Sequence, residues 1–174
     1  MQKLISREYQ DERDQEIIFL LDCGRRMRTR DGDLSHFDHA LNALLLSAYV
    51  AIRQGDAVGL QCFAGNHSRL PPVKGEGAIN LLLNHVYDLH SGTAHSDYTA
   101  AAEQLLAHQQ RRALVILLTN VRDEDSEDLT AAVQQLSRQH LVMVACLRER
   151  ALDELLEKPV ADFDDALMLG AGKD

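Results

Sequence analysis

Five apolar residues, Ile17-Ile18-Phe19-Leu20-Leu21, run directly into Asp22-Cys23-Gly24-Arg25-Arg26. No other junction constrains the fold as much. The run is too short for a helix and apolar at every position, which predicts a strand buried on both faces of a parallel sheet. In open α/β sheets, ligands bind just beyond the C-terminal ends of the strands. A carboxylate there, followed by a glycine-containing turn, marks Asp22 as a candidate for chemistry.

The rest of the chain supplies the layers such a strand needs. Arg25 to Leu34 reads as a polar loop with a turn at Asp31-Gly32-Asp33. Ser35 and Asp38 form a variant capping box, ahead of a helix with Phe37, Leu41, Leu44, Leu45, Ala48 and Ile52 on one stripe. Gly55 caps that helix and Ala57 to Phe63 forms the next strand. Gly65-Asn66 predicts a hairpin turn into a short antiparallel stretch, His67 to Leu70, stopped by Pro71-Pro72 and so confined to a sheet edge.

Helices are expected over 77–89 and 98–108, and core strands at Ala113 to Leu118 and Leu141 to Leu147. The acidic run 123–128 opens a helix reaching Gln139, where negative charge suits the helix dipole. A short helix, Leu152 to Glu157, and a tail from Ala161 to Asp174 complete the reading. The 174 residues form one domain of α/β class. It is a layered domain with right-handed crossovers, a mostly parallel central sheet, one antiparallel edge strand and helices on both faces.

Charge narrows the function. Eighteen basic residues stand against 27 acidic ones, a net charge of −9, which speaks against nucleic acid or anionic lipid as partner. No apolar run is long enough to span a bilayer. The three cysteines, Cys23, Cys62 and Cys146, form no CxxC pair and suit a reducing cytoplasm, the last two as small hydrophobes inside strands.

Three loops converge on the strand-end edge: Asp22 after the first strand, the loop Ser91 to Asp97, and Thr119-Asn120. Oxygen-bearing residues from three loops are what a hard cation such as Mg²⁺ requires. Cys23 is the alternative nucleophile, but it lacks an identifiable base. A phospho-accepting receiver is excluded by the missing acidic pair and by Arg148 where a Lys is needed. Nucleotide cradles and the nucleophile elbow are absent from the sequence. The histidines are scattered; only His90 and His95, with Asp97, approach this edge.

Several stretches carry a family resemblance: Arg7-Glu8-Tyr9 with Glu12-Arg13, Leu21 to Met27, and Arg53-Gln54-Gly55-Asp56-Ala57-Val58-Gly59-Leu60 with Phe63. Leu70-Pro71-Pro72, Ser96-Asp97-Tyr98 and His140-Leu141-Val142 continue it. The chain resembles a von Willebrand factor A-type domain, and more closely the bacterial group called "domain of unknown function 58". That resemblance implies a Rossmann-like α/β sandwich, and a metal-ion-dependent adhesion site built from D-x-S-x-S, a later Thr and a final Asp. Asp22 matches the first aspartate, Gly24 and Arg26 stand at the two serine positions, Ser96 takes the threonine position and Asn120 replaces the final aspartate.

A degenerate site is therefore expected, with Arg25 and Arg26 set against a divalent cation by Coulomb repulsion. The reading is a non-enzymatic protein-interaction module with no required cofactor. Its binding edge comprises Asp22, Gly24, Arg25, Arg26, Ser96, Asp97, Thr119 and Asn120. The resemblance implies a MoxR-type AAA+ ATPase as partner, in assembly or maturation. The alternatives are a surviving Mg²⁺ site at Asp22, Ser96 and Asn120, and a hydrolase using Asp22 and Cys23. Family members usually continue with a further strand and closing helix and carry membrane spans upstream. The expectation is thus a fragment lacking that final strand and helix, from a membrane-anchored parent that holds it on the cytoplasmic side. The sheet edge left open would favour a homodimer.

Overall fold

The computed structural model describes residues 15–65 and 67–147. The apolar run forms β1 (Glu16–Asp22), the central strand of a five-stranded sheet. After it come a 3-10 turn (Arg25–Arg28) and a two-stranded ribbon, β2 (Arg30–Asp31) and β3 (Leu34–Ser35). Gly32 turns the ribbon with φ +69°, a left-handed conformation that glycine adopts without steric cost. The loop expected from Arg25 to Leu34 is thus locally ordered.

Ser35 starts α1 (His36–Arg53) through the expected reciprocal cap. Its hydroxyl accepts from the Asp38 N–H at 3.1 Å, and its own N–H donates to Asp38 Oδ2 at 2.9 Å. These bonds to Ser35 hold the Asp38 carboxyl below the usual carboxylate range. The chain then forms β4 (Ala57–Phe63), β5 (Arg69–Val73), α2 (Ala78–Val86), α3 (Tyr98–His108), β6 (Leu114–Thr119), α4 (Ser126–Ser137) and β7 (Leu141–Cys146).

The sheet order is β5-β4-β1-β6-β7, parallel throughout except for β5. This is the Rossmann-like α/β sandwich, with its antiparallel strand at one edge. Residues alternate between two cores. Phe19, Leu21, Leu60, Ile116 and Leu118 face α1 and α2, packing with Phe37, Leu44, Leu82 and Val86. Ile18, Leu20, Val115 and Leu117 face α3 and α4, packing with Tyr98, Leu105 and Leu136. Each such side chain contributes roughly 1.5–3 kcal/mol on burial.

Strand β5 departs from the expectation. It does not end at the prolines but runs through Pro71 and Pro72 to Val73. The ladder pairs Val58 with Val73 and Leu60 with Leu70, so one extra residue is absorbed opposite Gly59 as a bulge. A Cβ on Gly59 would lie 3.1 Å from both the Leu70 carbonyl and the Pro72 nitrogen. Glycine on the inner strand and an interrupted ladder let two prolines sit in an outer one.

Helix α2 is shorter than its pattern suggested, and a 3-10 turn (Asp123–Asp125) precedes α4. Cys146 is exposed on the outermost strand, not buried as a strand-interior thiol. No helix among the described residues is long and apolar enough to cross a membrane. The expected short helix at 152–157, the tail, Asn66 of the hairpin turn and the residues beyond 147 lie outside the described residues.

Candidate functional site

Parallel pairing of β1 with β6 aligns Leu21 with Leu118, so Asp22 and Thr119 emerge side by side at the same end of the sheet. Asp22 is fully buried. The Gly24 N–H donates to its Oδ1 at 2.7 Å, the Ser96 hydroxyl lies 2.8 Å from both oxygens, and the Thr119 hydroxyl donates to Oδ2 at 2.7 Å. Thr119 has one proton, and Asp22 receives it. The Tyr98 hydroxyl, 2.9 Å from Thr119 Oγ1, is therefore the donor in that contact. Burial, with the Asp22 charge adding to it, pushes the Tyr98 phenol up to about 12.

Gly24 is required by this packing. A Cβ there would lie 2.5 Å from Ser96 Oγ and 3.0 Å from Asp22 Oδ1, so a serine at this position cannot coexist with the network. Asp97 acts as the N-cap of α3, accepting from the Ala100 N–H at 2.8 Å. Asp128 of α4 accepts from the Tyr98 N–H at 2.9 Å and from the Thr99 hydroxyl, tying the start of α3 to α4.

The two arginines behave differently. Arg25 is exposed, and its backbone N–H is bonded to the Ala94 carbonyl at 2.9 Å. Arg26 turns inward and pairs with Asp125 and Glu124 in the turn before α4. Arg26 keeps 10% of its side chain exposed and Asp125 keeps 6%, against 68% for Glu124. His95 comes within 3.9 Å of Asp125 from the solvent side.

Asn120 is buried at the same strand end, yet its side chain is committed elsewhere: Nδ2 donates to His36 Nδ1 at 2.9 Å. Of the three residues proposed for a metal, Asp22 and Ser96 are brought together and Asn120 is directed to α1. The residues present do not fit a hard divalent cation. One carboxylate stands at the strand end, both its oxygens already accept hydrogen bonds, and a guanidinium occupies the neighbouring acids. Among the described residues, no three His, Cys, Asp or Glu side chains are grouped as a metal site.

Cys23 and Cys62 are buried free thiols. The contact with Cys23, reinforced by burial, pushes the Cys62 thiol up, which makes it a poor nucleophile. The histidine cluster does not assemble. His90 bonds the Asp88 carbonyl at 3.1 Å while His95 faces Asp125. Sequence reasoning missed Tyr98, His36 and Asp125. The adjacency of Tyr98 to Ser96-Asp97 was its one available signal; for His36 and Asp125 there was none.

Comparison with known proteins adds three findings. The profile of a family described as "Protein of unknown function DUF58" matches residues 1–166. No curated protein matches the chain. Among solved structures, the chain is similar to an aerotolerance-related membrane protein from Bacteroides fragilis NCTC 9343, crystallised with multiple mutations to serines. The two are 22% identical with a TM-score of 0.47, over 75% of this chain, which spans 66% of the other.

Proposed function

The chain belongs to the DUF58 family of proteins of unknown function, and from that premise we propose that it is a non-enzymatic protein-docking module whose strand-end edge works without a metal. The observation that carries this reading is the closed shell around Asp22. A catalytic or metal-bridging carboxylate must offer a lone pair to substrate or cation. Asp22 is fully buried and accepts from Gly24, Ser96 and Thr119 instead. The von Willebrand A-type resemblance supports the edge as the docking face, with its metal logic replaced by fixed loops.

Recognition then falls to what the loops expose, with Arg25 and His95 foremost. A MoxR-type AAA+ ATPase is the proposed partner, engaged by this domain on the cytoplasmic side of a membrane-anchored parent. The test is surface plasmon resonance of the immobilised chain against the MoxR-type ATPase of the same genome, nucleotide-free and in EDTA. Saturable binding that Arg25→Glu weakens about tenfold or more, roughly 1.4 kcal/mol, is the expected result. Absence of binding sinks the partner. Turnover in a phosphatase and esterase panel that disappears in Asp22→Ala sinks the non-enzymatic reading.

A further inference from the structure

Three carboxyl groups gather at this edge: Asp22 at the end of β1, with Glu124 and Asp125 in the turn before α4. Two of them are almost out of water, Asp22 at 0% exposure and Asp125 at 6%. Buried acids of this kind need compensation, because an uncompensated charge in a low-dielectric site is costly. Arg26 sits two residues past Gly24, whose N–H holds Asp22, and its nearly buried guanidinium pairs with both Asp125 and Glu124.

We infer that Arg26 is a built-in cation: its guanidinium, tethered by the turn Arg25–Arg28, neutralises Asp125 and Glu124, the acids that a dissociable metal would otherwise have to serve, and ties the β6–α4 turn to the end of β1. The inference deepens the docking reading, since it rests on the same closed edge and explains why docking needs no divalent ion. Arginine suits the role better than lysine. Its planar fork presents donors to two carboxylates at once and stays charged at any working pH. The same commitment removes Arg26 from recognition: a partner's carboxylate finds it already neutralised and must turn to Arg25.

The experiment is thermal unfolding of the purified chain with no partner present, so its failure is separable from failure of the docking reading. In EDTA and in millimolar Mg²⁺ or Mn²⁺ the parent chain should melt at the same temperature. A saturable rise with either ion overturns the inference. Arg26→Ala should melt lower by roughly 6–12 °C. Guanidinium ion at about tens of millimolar should restore part of that loss where urea at the same concentration does not. A loss within about 1 °C, or an equal loss with no such restoration, assigns Arg26 to packing of its stem and overturns the inference. Should Arg26→Ala fail to fold, the chain that also carries Asp125→Asn and Glu124→Gln decides: recovered folding supports the built-in cation and continued failure overturns it.

Discussion

Asp22 and Asp125 are two carboxylates buried at one edge of one sheet, and the fold satisfies them by opposite means. Asp22 takes neutral donors from three directions: the Gly24 N–H of its own turn, the Ser96 hydroxyl before α3 and the Thr119 hydroxyl of β6. Asp125 takes a guanidinium from the far side of the edge, from a residue distant in sequence. The first arrangement fixes geometry, because each bond has a direction and none can be screened away. The second is a tie between loops, whose strength depends on both charged partners being present.

Breaking the Asp22 network should have the largest effect. Asp22→Ala leaves two hydroxyls and an N–H buried without an acceptor, and is expected to cost about 3–5 kcal/mol in urea unfolding. Asp125→Asn keeps the shape but removes the charge opposite Arg26. A loss of about 1–3 kcal/mol by the same measurement is expected, since Glu124 remains. If the order of the two losses reverses, the tie rather than the neutral network organises the edge.

Tyr98→Phe sharpens the comparison from the neutral side, removing one hydrogen bond for about 1 kcal/mol. Its pH dependence carries a sign. The phenol's folded value of about 12 lies above its ordinary 10.0, so its contribution is complete below pH 10 and is lost as pH rises through 12. The phenylalanine variant should show a flatter alkaline limb in stability measured against pH. The smallest effect is expected for Glu124→Gln. That carboxylate is mostly exposed, so the change should be under about 1 kcal/mol and vanish near 1 M salt. A salt-resistant loss there would mean that Glu124 belongs to the buried half of the comparison.

The neutral half was largely legible in the sequence, and the charged half was not. An apolar run ending in Asp22 announces a central strand, and the strand-end rule brings Ser96 and Thr119 toward it. Nothing local distinguishes Asp125 from its neighbours in the run 123–128. Only Glu127 and Asp128 lie in the first turn of α4, where helix-dipole logic placed the run. Asp125 instead meets Arg26, and Asp128 also serves the start of α3. Asn120 shows the same limit, since its position at a strand end was readable but its side-chain direction toward His36 was not. Position follows from pattern; side-chain partnership across a hundred residues follows from packing.

The bulged outer strand has a consequence for how this sheet can be extended. With two prolines and an interrupted ladder, β5 offers a poor template for another strand. At the opposite side β7 contains no proline, and carries Leu141, Met143 and Val144 at 60%, 48% and 38% exposure. Among the described residues the sheet therefore has a polarity of growth: an added strand has a receptive side and a refractory one. Two copies joined through β7 would accordingly form a closed pair of outer strands rather than an open-ended ribbon.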